Sequence, residues 1–282
     1  MAQIHWFPGH MSKALKEIEN KIKIVDVVIE LFDSRAPLSS INEDLEEVIK
    51  NKKKLVVLTK IDLADPHQTK LWKEKLEKRY EKVLALDLTK ESAEKEIAKA
   101  VYLLGEDKRL KDKSKGMKPQ PIRAMIIGIP NVGKSSLINR LASRRAAGVQ
   151  NKPGYTRGEQ WIKVNKDFEL LDTPGVLPMA YDNKDKATKL AIIGAIREDI
   201  LPYSELCEYL IKFLKDKYPT SLEDRFGVTD LSDAQDVLAR IAERRGLKRN
   251  GDLDTEKAEA LLLHEFKNGK LGRITLEWLL WR

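Results

Sequence analysis

The chain is poor in cysteine, with Cys207 its only one. An internal disulfide is therefore excluded, and a reducing setting fits. Cys207 falls in an apolar helical pattern and reads as a small core residue. Long apolar runs are also missing. No stretch approaches the roughly 18 residues that a membrane-spanning helix needs, so no membrane partner is expected. The first ten residues, M-A-Q-I-H-W-F-P-G-H, hold no basic region followed by an apolar one, so no secretion signal is expected either. These absences point to a cytoplasmic protein. Positive charge is in excess, with 52 Lys and Arg against 44 Asp and Glu, net +8 over 282 residues. Such a balance favours a polyanion, nucleic acid or anionic lipid, although a Lys-rich surface gives the same number. At 42% hydrophobic and 34% charged residues the chain suits one large globular domain or two ordinary ones.

Gly128 to Ser135 reads G-I-P-N-V-G-K-S and fits G-x-x-x-x-G-K-[ST], a loop whose backbone N–H groups cradle phosphates. The apolar run I-R-A-M-I-I before it predicts a strand, and S-L-I-N-R-L-A after it predicts a helix with Leu137, Ile138 and Leu141 on one face. Asn131, Val132, Gly133, Lys134, Ser135 and Ser136 are the residues this pattern sets against a nucleotide. Lys134 reaches the β- and γ-phosphates, and Ser135 offers its hydroxyl to Mg²⁺.

Upstream, Ile24–Phe32 and Leu55–Leu58 are β-branched and aliphatic runs typical of buried parallel strands. Polar residues at the carboxyl ends of such strands stand where ligands bind. The first run ends in D-S-R-A-P (33–37) and the second in Thr59-Lys60-Ile61-Asp62, which resembles the guanine-reading [NT]-K-x-D motif of GTPases. A carboxylate at Asp62 accepts from both the guanine N1–H and the exocyclic amine. Adenine lacks that donor pair and would leave the carboxylate unpaired, a cost of about 1–3 kcal/mol. The Lys60 stem can pack along the base, while Thr59 replaces the commoner asparagine. Val83–Leu88 predicts a further strand. By position, Asp87 and Leu88 back onto the base, although the Ser-Ala-Lys common there is missing.

Beyond the phosphate loop, K-P-G-Y-T-R-G (152–158) resembles a first switch in which Thr156 closes on Mg²⁺ and the γ-phosphate. Residues 160–164 and 168–171 flank Asn165-Lys166-Asp167 and predict a hairpin. Asp172-Thr173-Pro174-Gly175 is D-x-x-G: Asp172 holds Mg²⁺, and the Gly175 N–H senses the γ-phosphate. The base motif comes first, with Lys60 preceding Lys134 by 74 positions. A circularly permuted chain explains that order, with residues 105–121, Lys- and Asp-rich and closed by Pro119 and Pro121, as an exposed linker joining the old ends.

Taken together, W-F-P-G-H-M, D-S-R-A-P, T-K-I-D, G-I-P-N-V-G-K-S-S, K-P-G-Y-T, D-T-P-G-V and the late G-K-L-G-R resemble the YlqF/RbgA family of circularly permuted ribosome-biogenesis GTPases over residues 4 to about 274. The resemblance implies an α/β fold: a circularly permuted P-loop GTPase domain with a mainly parallel sheet flanked by helices, then a C-terminal all-α domain. It implies GTP and GDP as ligands, Mg²⁺, and a late step in assembly of the large ribosomal subunit, with no DNA partner expected. Where a familiar GTPase carries a water-orienting glutamine after D-x-x-G, this chain has Val176. The family's proposed substitute corresponds to His10, whose imidazole positions water or acts as a weak base; capping or packing of the first helix is the competing role. Asn131 corresponds to the asparagine of K⁺-assisted GTPases, and Arg35 and Arg157 are rival sources of positive charge.

We divide the chain into a GTPase domain, 1–180, and a helical part, 181–282. In the latter Arg240, Arg244, Arg245, Lys248 and Arg249 crowd one side and suit contact with rRNA phosphates, by charge and shape rather than base sequence. Two functions stay open: a GTPase switch on the precursor of the large subunit, and a nucleotide-regulated RNA-binding protein with incidental hydrolysis.

Overall fold

A computed structural model describes residues 4–5, 8–90, 92–143, 161–171, 173, 175–177, 180–181, 183–196 and 202–280, with backbone alone at 4–5, 8–11, 142–143 and 180–181. The chain begins with β1 (Ile4–His5) and α1 (Pro8–Lys21). The helix opens at Pro8, whose fixed φ suits a first turn and whose missing N–H costs nothing there. Then come β2 (Val27–Asp33), α2 (Glu43–Ile49), β3 (Lys53–Thr59), α3 (Pro66–Leu76), β4 (Lys82–Ala85) and α4 (Ser92–Leu104). Asn42 caps α2 by accepting from the Asp44 and Leu45 amides. Asp65 caps α3 ahead of Pro66.

The stretch expected as an exposed linker contains a helix, α5 (Glu106–Ser114). It has no buried residue and no apolar stripe. Its acids Glu106 and Asp107 stand in the first turn and Lys111 and Lys113 in the last, which suits the helix dipole. Lys108 pairs with Asp26 at 2.7 Å and Arg109 with Asp167 at 3.0 Å, so ion pairs rather than burial tie it down.

Next are β5 (Ile122–Gly128), α6 (Lys134–Ser143), the hairpin β6 (Trp161–Lys163) and β7 (Phe168–Leu171), and β8 (Ala180–Tyr181). Six strands form one sheet in the order β4-β3-β2-β5-β7-β6, parallel except for the β6–β7 edge. The strand that feeds the phosphate loop lies inside. The earlier chain fills the sheet to one side of it and the later chain the other, as the permuted motif order requires. The predicted third strand stops at Ala85, three residues early, although the Leu86 amide still donates to Leu58.

Strand alternation divides the core. Val27, Ile29, Leu31, Leu55, Val57, Ala124 and Ile126 point to the face covered by α4 and α6. Val28, Met125 and Ile127 point to α1 and α2, and Phe32, Val56 and Leu58 to α3. β2 is buried on both faces.

The remaining elements are α7 (Lys184–Ile192), α8 (Tyr203–Lys217), α9 (Ser221–Phe226), α10 (Ala234–Arg245), the two-residue strands β9 (Lys248–Arg249) and β10 (Asp252–Leu253), and α11 (Thr255–Lys267). α8 buries Leu206, Cys207, Leu210, Ile211 and Leu214. α10 is capped by Asp233, whose carboxylate accepts from the Gln235 and Asp236 amides. These helices share one apolar cluster with the α4 face of the sheet. Among the described residues no helix is long and apolar enough to cross a membrane.

Ile97 lies wholly buried between α4 and the sheet. Ile97→Ala should lower stability by about 2–5 kcal/mol, read from the urea midpoint. A loss under about 1 kcal/mol would mean that α4 does not seal this face.

Candidate nucleotide-binding site

β3, β2 and β5 run parallel and end side by side at Thr59, Asp33 and Gly128. A Cβ at Gly128 would lie 2.8 Å from the Leu31 carbonyl, so only glycine lets the loop leave the sheet there. Asn131 is left-handed at φ 58, a conformation asparagine tolerates. Lys134 begins α6 almost buried, its ammonium 3.1 Å from the Gly128 carbonyl and 2.8 Å from that of Ile129. Ser135 and Ser136 are exposed in the first turn of α6, where backbone N–H groups have no intrahelical partner and attract anions. These residues line a cleft of about 600 Å³ together with Pro130, Thr173 and Gly175.

The D-x-x-G segment closes the far wall. The Thr173 hydroxyl donates to the Ile126 carbonyl, and the Val176 amide to that of Gly128 at 3.3 Å. A Cβ on Gly175 would meet Lys134 Nζ at 2.9 Å and Pro130 Cα at 3.0 Å, so the bare backbone touches the phosphate-loop lysine. Val176 and Leu177 are buried. Val176 shares a cluster with Ala14 and Ile18 of α1, and its carbonyl accepts from Asn42 Nδ2 at 3.3 Å.

The base motif reaches the same place. The Thr59 hydroxyl, fully buried, lies 2.7 Å from the Val132 carbonyl and 3.2 Å from that of Phe32. It has one proton to donate, and the shorter contact links it to the phosphate loop. Thr59 stands where asparagine is commoner, and its hydroxyl ties the two loops together. Lys60 is left-handed at φ 53, unusual for a long side chain and found chiefly at functional sites. Its ammonium pairs with Asp33 at 2.9 Å, and Asp62 beyond it is exposed. Leu88 abuts the phosphate loop, 3.1 Å from where a Gly133 Cβ would sit. Asp87 turns away to accept from the Thr89 amide and hydroxyl at 2.9 and 2.6 Å, and the hydroxyl bond holds its carboxyl below the usual range.

The structure thus sets Thr59, Leu88 and Gly175 against the phosphate loop of Asn131 to Ser136, while Lys60 and Asp62 follow Thr59 directly in the chain. The side chain of His10 lies outside the described residues, as do Thr156, Arg157 and Asp172.

Arg35, offered by the sequence as a source of catalytic charge, is corrected. It is 2% exposed. Nε and Nη2 donate to the two Asp33 oxygens at 2.9 and 2.8 Å; Nη2 also reaches the Ile193 carbonyl at 3.0 Å and Nη1 that of Lys267 at 3.2 Å. A guanidinium committed to four acceptors is a structural bolt. One turn of chain after α7 touches both loops, because Asn131 Nδ2 donates to the Gly194 carbonyl at 2.7 Å. Sequence reasoning also missed Arg273, which donates to the Ile61 and Ala64 carbonyls at 2.6 and 2.9 Å. The only signal was its place in G-K-L-G-R, where the charge reads as a solvated loop.

The 50S ribosome-binding GTPase family matches residues 123–232. The match starts at the strand feeding the phosphate loop and leaves Thr59 to Asp62 upstream, in line with a permuted order. Ribosome biogenesis GTPase A of Bacillus cereus is 41% identical over 97% of this chain and 93% of its own length. The protein of that name from Thermotoga maritima is 29% identical over 96% and 93%. Among solved structures, GNP-bound YlqF from T. maritima has a TM-score of 0.65 at 26% identity, covering 94% of this chain and 97% of that one. A GDP-bound structure of TM YlqF has a TM-score of 0.66 at 25% identity, covering 93% and 98%.

Burial alone would push the Asp33 carboxyl up. Arg35 and Lys60 outweigh it and hold the carboxyl below the usual carboxylate range. A depressed folded-state pKa gives stability that is complete above the unfolded value, about 3.9, and drains away as pH falls further. Asp33→Asn strands a buried guanidinium and should cost about 3–5 kcal/mol at pH 7. In urea titrations at pH 7, 5 and 3, the gap between parent and variant should hold down to pH 5 and narrow at pH 3. A constant gap would remove the charge argument.

Proposed function

The chain belongs to the ribosome biogenesis GTPase A family, and we propose that it works there as a switch on the immature large ribosomal subunit. It binds guanine nucleotide, hydrolyses GTP and acts in assembly of that subunit. In the proposed cycle GTP binding readies the chain for the subunit precursor, a late assembly step follows, and the subunit then stimulates hydrolysis to GDP and phosphate. The single observation that supports the site is the bond from Thr59 to Val132, which joins the strand end carrying T-K-I-D to the phosphate loop. Lys134 and the first turn of α6 would take the phosphates, Gly175 would sense the γ-phosphate, and Lys60 and Asp62 would read the base, backed by Leu88.

Mg²⁺ fits this donor set. The Ser135 hydroxyl lines the cleft as a hard oxygen ligand, and Thr156 and Asp172 would add to it. The ion would neutralise charge on the β- and γ-oxygens as the bond to the leaving group breaks. The Asn131 amide nitrogen is engaged with Gly194, which leaves its oxygen as the ligand for K⁺. Val176 is buried and apolar and cannot orient water. His10 is the group proposed in its place, supported by the packing of α1 beside Val176. Arg240, Arg244, Arg245, Lys248 and Arg249 are exposed on α10 and β9 and would meet rRNA phosphates. A cytoplasmic setting goes with that partner.

GTP turnover in K⁺ should rise when large subunits are added. No rise would favour an RNA-binding protein with incidental hydrolysis. His10→Ala should cut the stimulated rate by roughly 10²-fold or more while GDP affinity holds; an unchanged rate would end its catalytic role. In a competition assay Asp62→Asn should lose the preference for GTP over ATP, and a variant that kept it would remove the base assignment.

A further inference from the structure

After α11 the chain crosses back to the carboxyl ends of the strands and runs along two of their loops. The Ile274 amide donates to the Leu63 carbonyl at 3.0 Å. Arg273 donates to Ile61 and Ala64 at 2.6 and 2.9 Å. The Thr275 hydroxyl accepts from the Asp65 amide and contacts the Ser34 carbonyl, both at 3.2 Å, and the Leu276 amide donates to the Arg35 carbonyl at 2.7 Å. The Glu277 carboxylate takes the Ser39 amide at 3.0 Å, and its carbonyl takes the Trp72 indole at 2.7 Å. Ile274, Thr275, Leu276 and Glu277 are all buried.

The pattern is specific. Loop backbone needs hydrogen-bond partners, and the carbonyls of Ile61, Leu63 and Ala64 find theirs in residues 273 and 274. Asp62 stands between two anchored neighbours while remaining exposed. Left-handed Lys60 turns the chain out of β3 just before it, and Asp65, whose amide donates to the Thr275 hydroxyl, caps α3 just after it.

We propose that residues 273–277 are a strap that positions the base-reading loop, with Arg273 as the positioning residue for Asp62. The inference rests on Asp62 reading guanine. A carboxylate held in place accepts two hydrogen bonds from the base without first ordering the loop, and such preorganisation appears directly as affinity. The strap never touches nucleotide. It acts through the backbone on either side of Asp62, so it bears most on bases that use that carboxylate twice.

The test compares GDP with inosine diphosphate, which keeps the N1–H and lacks the 2-amino group, by calorimetric titration of the full chain. Arg273→Ala should lower GDP affinity by roughly tenfold, inosine diphosphate affinity by less, and so shrink the ratio between them. Arg273→Lys, able to restore one bond, should recover part of the ratio. Thr275→Val, which breaks the strap further along, should shrink it as well. A strap that only holds the fold together would lower the melting temperature and weaken both nucleotides by one factor; that result, or an unchanged ratio in all three variants, overturns the proposal. Asp62→Asn is run in parallel. If it leaves the ratio intact, the base assignment itself has failed. If it collapses the ratio while the strap variants do not, only the strap has failed.

Discussion

The buried carboxylate of Asp33 is the interaction on which the rest of the structure depends. It ends β2, between the strand that delivers the base motif and the strand that delivers the phosphate loop. A lone carboxylate there would be prohibitive to bury. It is tolerated because a guanidinium grips both oxygens and an ammonium takes one of them. Each cation comes from a different direction. Lys60 brings the base loop, and Arg35 carries the carbonyls of Ile193 and Lys267, at the ends of α7 and α11. One acid therefore fixes three parts of the chain, and removing any partner leaves a buried charge. Nonpolar replacement of a buried ion pair often matches its stability, but it does not specify which loop lies where.

Permutation gives that arrangement its consequence. The chain after Gly175 does not return to the sheet. Val176 packs against α1, the backbone passes on to Tyr181, and β8 pairs with β1, so the N-terminal segment and the exit of the D-x-x-G loop are neighbours. α7 follows at once, and the turn at its end touches Asn131 through Gly194 and Arg35 through Ile193. The turn that ends α7 is thus bonded to both the phosphate loop and the Asp33 cluster.

How much of this was legible follows from the range of each interaction. Strand runs, helical faces and the G-x-x-x-x-G-K-S, T-K-I-D and D-x-x-G patterns are local and register directly as residue order. The permutation was legible because motif order is itself sequence. Arg35 was misread, since D-S-R-A-P looks alike whether the arginine faces a ligand or bolts the core; its partners at Ile193 and Lys267 are more than 150 positions away. Arg273 was missed for the same reason, with backbone acceptors that leave no side-chain pattern to match. α5 escaped because periodicity was sought and its stability comes from propensity, dipole and ion pairs. Thr59 registered only as a replacement of the commoner asparagine, because its acceptor, the Val132 carbonyl, lies 73 positions away.

These long-range bonds set the direction of coupling. Residues after α7 and α11 contact the phosphate loop, the Asp33 cluster and the base loop, so the helical part touches both ends of the nucleotide cleft. If nucleotide binding favours one arrangement of those contacts, then holding the helical part in that arrangement must favour the nucleotide by the same free energy. A surface that engages α10 and α11 therefore gains a means of changing nucleotide affinity without entering the cleft. In a familiar order of motifs the base loop would come late and its neighbours would be sheet. Here it comes early, and the chain after α11 lies along it, so the bonds that hold the carbonyls of Ile61, Leu63 and Ala64 come from the far end of the sequence.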